Sequence, residues 1–232
     1  MSTSGAEVAP RFELDHLVVA ASSLAAGHEW CEATFGVSPQ TGGKHPSMAT
    51  HNLLLSLASP RFPRAYLEII AIDPEAPPPA RRRWYDLDEP ALQARLTAGP
   101  ALVHWVARTG DLGAGAVLLR EAGFDPGDLV DAERMTPRGL LRWRIAIVAG
   151  GRRHARGAVP LLIEWGDVHP SDDLPESGVA LRSLDIGGVD PALATRLGVT
   201  ALAGASARPG TVASPIVAEL SGPRGRVVLT AP

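Results

Sequence analysis

Short apolar runs of strand type alternate along this chain with polar stretches rich in glycine and proline, and two of the runs recur in the same order. Leu14-Asp15-His16-Leu17-Val18-Val19-Ala20 aligns with Leu102-Val103-His104-Trp105-Val106-Ala107-Arg108, each apolar with a histidine near its start. Further along, Tyr66-Leu67-Glu68-Ile69-Ile70 aligns with Leu162-Ile163-Glu164-Trp165. The two intervals from histidine to glutamate are similar in length, enough for one helix and the strands between. Two copies of one module is the economical reading.

After a flexible tail over 1–11, the pattern predicts a strand over 12–20 and a helix capped by Ser22 or Ser23 that ends at Phe35-Gly36. Gly42-Gly43-Lys44-His45-Pro46 reads as a turn or loop, followed by strands over 50–57 and 65–72. The first module is thus β-α-β-β-β over 12–73, its second strand the least marked. Residues 74–99 form a connector, because Asp73-Pro74-Glu75-Ala76-Pro77-Pro78-Pro79 excludes a regular helix or a central strand. A short helix near 89–97 is expected within it. Arg81-Arg82-Arg83 beside Trp84 and Tyr85 is either an anion-binding patch or a solvated face with an aromatic anchor.

The second module spans 100–177: a strand from Ala101, a helix capped by Asp111 that ends at Gly123, and strands over 140–148 and 159–166. In the former, Leu141, Trp143, Ile145 and Ile147 alternate with Arg142, Arg144 and Ala146, the mark of one buried and one wetter face. Residues 178–232 repeat the scheme weakly, with a strand over 179–187, a helix ending in Leu197-Gly198-Val199, and a hairpin at Gly222-Pro223-Arg224-Gly225. Ser183 and Val228 stand where the modules carry histidine and glutamate, so this degenerate third copy is not expected to bind metal.

Composition narrows the function. The chain has 232 residues, 45% hydrophobic and 20% charged, with a net charge of −3. It can bury a substantial core and carries no electrostatic footprint for nucleic acid. No apolar run is long enough to span a membrane and the N-terminus lacks a signal-type pattern, so a cytoplasmic protein is expected. Cys31 is the one cysteine and falls in a predicted helix, a packed thiol rather than a nucleophile. Dinucleotide, P-loop, zinc-protease and nucleophile-elbow motifs do not occur.

The recurrent His and Glu remain as candidate chemistry. A glutamate flanked by Leu67 and Ile69, or by Ile163 and Trp165, sits where burial is expected and would then need a compensating cation. The alternative is a strand buried on one face, with the glutamate on the other. Two imidazoles and two carboxylates would suit Zn, Mn, Fe, Co or Ni rather than Ca, with His16, Glu68, His104 and Glu164 as ligands.

Repeated β-α-β-β-β modules with these residues resemble the vicinal oxygen chelate superfamily, which includes glyoxalase I, extradiol dioxygenases and bleomycin-binding proteins. Gly43-Lys44-His45-Pro46-Ser47-Met48-Ala49-Thr50-His51-Asn52, Arg83-Trp84 and Glu164-Trp165 leading to His169-Pro170 resemble its glyoxalase-like group. The resemblance covers roughly 12–231. It implies an α+β fold in which two modules curl around one cavity, with a divalent metal held by the same four residues. The implied activity is that of a lyase, isomerase or dioxygenase acting on a small oxygenated molecule, with Glu164 or Glu68 as general base. His51 is then a cavity acid, base or substrate contact, or a hydrogen-bonded structural histidine; His169 lies at the cavity rim or serves its loop. A small-molecule partner follows, and a homodimer is compatible with it. Metal-free binding of a drug or metabolite in the same cavity is the alternative. A third reading is a remnant site whose His and Glu side chains pair with each other or with Arg142 or Arg144.

Overall fold

The computed structural model describes residues 11–136, 139–197, 206–208 and 214–232. The expected N-terminal tail up to residue 10, residues 137–138 and the helix end at 198–199 lie outside the described residues.

The first half runs β1 (Phe12–Ala20), α1 (Leu24–Phe35), β2 (Gln40–His45), β3 (Thr50–Ser56) and β4 (Tyr66–Ile72). A connector bearing α2 (Pro90–Leu96) leads to β5 (Ala101–Thr109), α3 (Leu112–Glu121), β6 (Asp128–Thr136), β7 (Gly139–Ile147) and β8 (Leu161–Trp165). Each half is a strand, a helix and three strands, and all eight strands join in one sheet ordered β2-β3-β4-β1-β5-β8-β7-β6. Within each half the first strand lies parallel to the last, and β1 and β5 meet antiparallel at the centre.

The helix ends follow from local chemistry. Ser23 accepts a hydrogen bond from the Ala26 amide at 3.1 Å, and Asp111 accepts one from Ala114 at 2.9 Å. Gly36, at φ 78°, takes the left-handed turn that ends α1. Two strands depart from expectation. Gly42-Gly43-Lys44-His45 is the greater part of edge strand β2 and not a turn: a Cβ on Gly42 would lie 2.1 Å from Asn52 Oδ1, so only glycine lets β2 approach β3 there. β6 was not anticipated, since its alternation of Val130, Ala132 and Arg134 with Asp131, Glu133 and Met135 is mostly polar.

The sheet is curled. Side chains of β2, β3 and β4 and of β6, β7 and β8, from opposite ends of the strand order, line one cavity. Its two edge strands come together where the Arg134 side chain lies over Gly43, at which a Cβ would fall 1.8 Å from Nη1. Val18, Ile70, Val106, Ile145 and Ile163 build the concave face, and the connector fills part of it with Trp84, Tyr85 and Leu87. The convex face packs Leu17, Ile69, Trp105 and Leu162 against α1, α3 and a second sheet.

That second sheet holds β9 (Ala180–Gly187), β10 (Ser206–Arg208), β11 (Ile216–Gly222) and β12 (Gly225–Thr230), with α4 (Pro191–Arg196) after β9. Its order is β10-β9-β11-β12, with β9 antiparallel to β11. In the first two units the opening strand pairs in parallel with the closing one. The C-terminal unit thus shares their succession of elements and not their pairing, which corrects the reading of it as a third copy.

Gly27 and Gly115 occupy the same place in α1 and α3, where a Cβ would lie 2.5 Å from Ile69 and 2.9 Å from Leu162. Alanine favours a helix over glycine by about 1 kcal/mol. Gly27→Ala and Gly115→Ala are nevertheless expected to destabilise the protein by about 1–3 kcal/mol in urea titrations, because overpacking against the sheet outweighs propensity.

Candidate functional site

The register between β1 and β5 shifts between Leu14 and His16, leaving Asp15 without a cross-strand partner. Such a bulge interrupts the alternation of faces, so the neighbours Asp15 and His16 both reach polar groups of the concave side. Asp15 is fully buried. Its Oδ1 accepts from His16 Nδ1 at 2.7 Å, and its Oδ2 accepts from Trp165 Nε1 and His169 Nε2, each at 2.9 Å. His16 stacks on Tyr66 with ring centroids 4.6 Å apart and turns Nε2 toward Glu68 Oε2 at 3.5 Å. Glu68 also accepts a hydrogen bond from Asn52 Nδ2 at 2.6 Å.

Burial alone would lower the pKa of His16, but the hydrogen bonds to Asp15 and Glu68 outweigh it and raise the value to about 9. Burial likewise opposes ionisation of Asp15 and Glu68, and their bonds to His16 hold both below the usual carboxylate range. The group is therefore carboxylate, imidazolium, carboxylate at neutral pH. His45, at 3.1 Å from Thr50 Oγ1, is pushed down by burial to about 4 and stays neutral.

Of the five residues expected at the site, the fold brings His16 and Glu68 together. His104 lies on the same face, but Nδ1 faces the Gly157 carbonyl at 3.1 Å, and Tyr85 packs edge-on against the ring at 5.3 Å. Trp84 and Tyr85 line both the cavity of His16 and a separate one beside His104. Burial and then Arg153 push His104 down to about 3.

Glu164 and His51 lie elsewhere, and the reason is strand parity. Ile163 and Trp165 face the cavity, so Glu164 between them points to the convex side. There its Oε2 accepts from the Leu112 amide at 2.7 Å, at the start of α3, 3.7 Å from Arg144 Nη1. In β3 it is Asn52 and Leu54 that face the cavity, while His51 has Asp73 3.9 Å away. Among the described residues no group of three or more His, Cys, Asp and Glu side chains is placed to hold a metal. The four-ligand set implied by the resemblance does not fit this arrangement.

Sequence reasoning missed Asp15, Asn52 and Arg134. Asp15 and Asn52 were visible as polar residues inside apolar runs, and Arg134 needed the recognition of β6. His169 does serve its loop, Nδ1 accepting from the Ser171 amide at 3.1 Å, and it is also buried and bonded through Nε2 to Asp15.

Residues 14–202 match the family model of the glyoxalase-like domain, and the chain belongs to that family. A hypothetical protein from Staphylococcus aureus shares the fold with a TM-score of 0.53 at 12% identity, over 94% of this chain and 85% of that one. Methylmalonyl-CoA epimerase from Mycobacterium tuberculosis is 20% identical over 67% of this chain and 88% of its own, with a TM-score of 0.38. No curated protein matches the chain.

Stability should peak near neutrality. His16, raised from 6.5 to about 9, contributes fully below pH 6.5, and that contribution is lost as pH rises through about 9. His45 resists protonation, so between pH 6.5 and about 4 the unfolded chain gains a proton the fold refuses and stability falls with pH. Urea midpoints measured against pH are expected to trace both limbs, and Asp15→Asn should move the alkaline limb to lower pH. Glu164→Ala removes a bond at the α3 N-terminus, for an expected loss of about 1 kcal/mol in the same assay.

Proposed function

We propose that the protein binds a small oxygenated molecule in the concave cavity without a resident metal, with Glu68 and His16 meeting its polar end. One observation carries this reading: of the four residues implied as ligands only His16 and Glu68 share the cavity, while His104 turns Nδ1 to the Gly157 carbonyl and Glu164 bonds the Leu112 amide on the other face of the sheet. The metal-dependent lyase, isomerase or dioxygenase chemistry implied by the resemblance would need donors gathered from beyond Tyr85 and from the far side of the sheet.

What the residues present can do is hold a ligand by hydrogen bonds in a dry setting. Glu68 is an anion fixed by Asn52 and His16, and it accepts a bond from a ligand hydroxyl or N–H. Its lowered pKa suits an acceptor better than a general base. Leu54, Ile145 and Ile163 form apolar walls that exclude water and strengthen those bonds. The cavity is small, about 40 Å³, with Trp84 and Tyr85 at one side.

Metal analysis of protein purified without chelator, joined to a thermal-shift screen of small metabolites, tests this. Expected results are sub-stoichiometric metal, ligand shifts unaffected by EDTA, and hits weakened about tenfold by Glu68→Gln, the loss of one charged acceptor. One equivalent of a first-row metal, lost on both His16→Ala and Glu68→Ala, would overturn it.

A further inference from the structure

Arg134 enters the cavity from β6 and stands beside Tyr66, Glu68 and Trp143. Its neighbours on the convex side of the same hairpin are matched by carboxylates, Arg142 by Glu133 at 3.2 Å and Arg144 by Asp131 at 3.3 Å. Among the described residues no carboxylate lies within 4.0 Å of Arg134, and its Nε is buried without a hydrogen-bond partner. An unpaired donor in such a place costs free energy that a ligand can recover. Nε–H with the adjacent Nη–H forms a flat fork that matches the two oxygens of a carboxylate.

We infer that Arg134 receives the carboxylate of a short organic acid, whose uncharged end carries a hydroxyl or N–H donor toward Glu68. The inference rests on the reading of this cavity as a ligand site and adds the class of molecule. Orientation follows from charge. Asp15 and Glu68 are both carboxylates and His16 can balance at most one of them, so an arriving carboxylate is repelled by Glu68 and drawn to the guanidinium. The size of the cavity confines the ligand to a few heavy atoms. Arg134 also lies over Gly43, and that contact closes the sheet whether or not a ligand is present.

Calorimetric titration of lactate and glycolate against lactamide and glycolamide separates these roles. In the wild type the acids should bind at least about tenfold more tightly than the amides, as one charge-assisted pair implies. Arg134→Met should abolish that preference and Arg134→Lys, with charge but no fork, should keep part of it. Arg82→Met, which removes an exposed partner of Glu89 that does not line the cavity, should leave it intact. A purely structural Arg134 would lower the melting temperature of Arg134→Met without altering the preference, and that outcome overturns the inference. So does failure of both acids to bind the wild type. Equal binding of acids and amides that is lost in Glu68→Gln would remove the anion claim alone and leave the ligand cavity standing; stoichiometric metal would instead remove the proposed function.

Discussion

A single buried carboxylate, Asp15, organises the centre of this molecule. Removing an unpaired charge from water costs several kcal/mol even after relaxation, and the fold meets that cost with three donors: the His16 and His169 rings and the Trp165 indole. The three come from β1, the end of β8 and the turn beyond it. Asp15 therefore ties the first strand of one half to the last strand of the other. Because β1 bulges there, His16 is pinned beside it and handed on to Glu68. The tautomer, the charge and the direction of His16 all descend from this one group.

The four residues that the family resemblance implies as metal ligands do not converge on one point here. A metal ligand needs a free lone pair on nitrogen, and donors from both halves must converge. Here His16 is paired with Asp15 and Glu68, His104 turns Nδ1 to the Gly157 carbonyl with Tyr85 packed edge-on against its ring, and Glu164 holds the α3 amide. Tyr85 and Asp86 adopt φ 59°, an uncommon conformation for residues with side chains, and Asp86 is anchored by Arg153 Nε at 2.7 Å. The connector is thereby wedged into the concave face. What remains is a small cavity lined by both the Glu68 carboxylate and the unmatched Arg134 guanidinium.

Most of the elements were legible in the chain. The caps at Ser23 and Asp111, the stop at Gly36, the apolar runs of β1, β4, β5 and β8 and the alternation in β7 each follow from local rules that hold whatever the rest of the molecule does. β2 and β6 were harder, since edge strands need only one hydrogen-bonded side and tolerate glycine and charge. The pairing of the C-terminal unit was not legible, because element order does not specify which strand lies beside which.

By itself, then, the sequence determined most of the strands and helices, the family, and the choice of His16 and Glu68 as candidates, which the parallel register of β1 and β4 brings together. Tertiary structure decided which face each polar residue serves. One residue of register separates Glu164 from the cavity that Trp165 enters and His51 from the one Asn52 enters, and one bulge brings Asp15 to the side of His16. A strand alternates faces at every residue, so motif spacing cannot say which face is concave. That depends on where the sheet curls, on what covers its other side, and on the connector that fills its hollow.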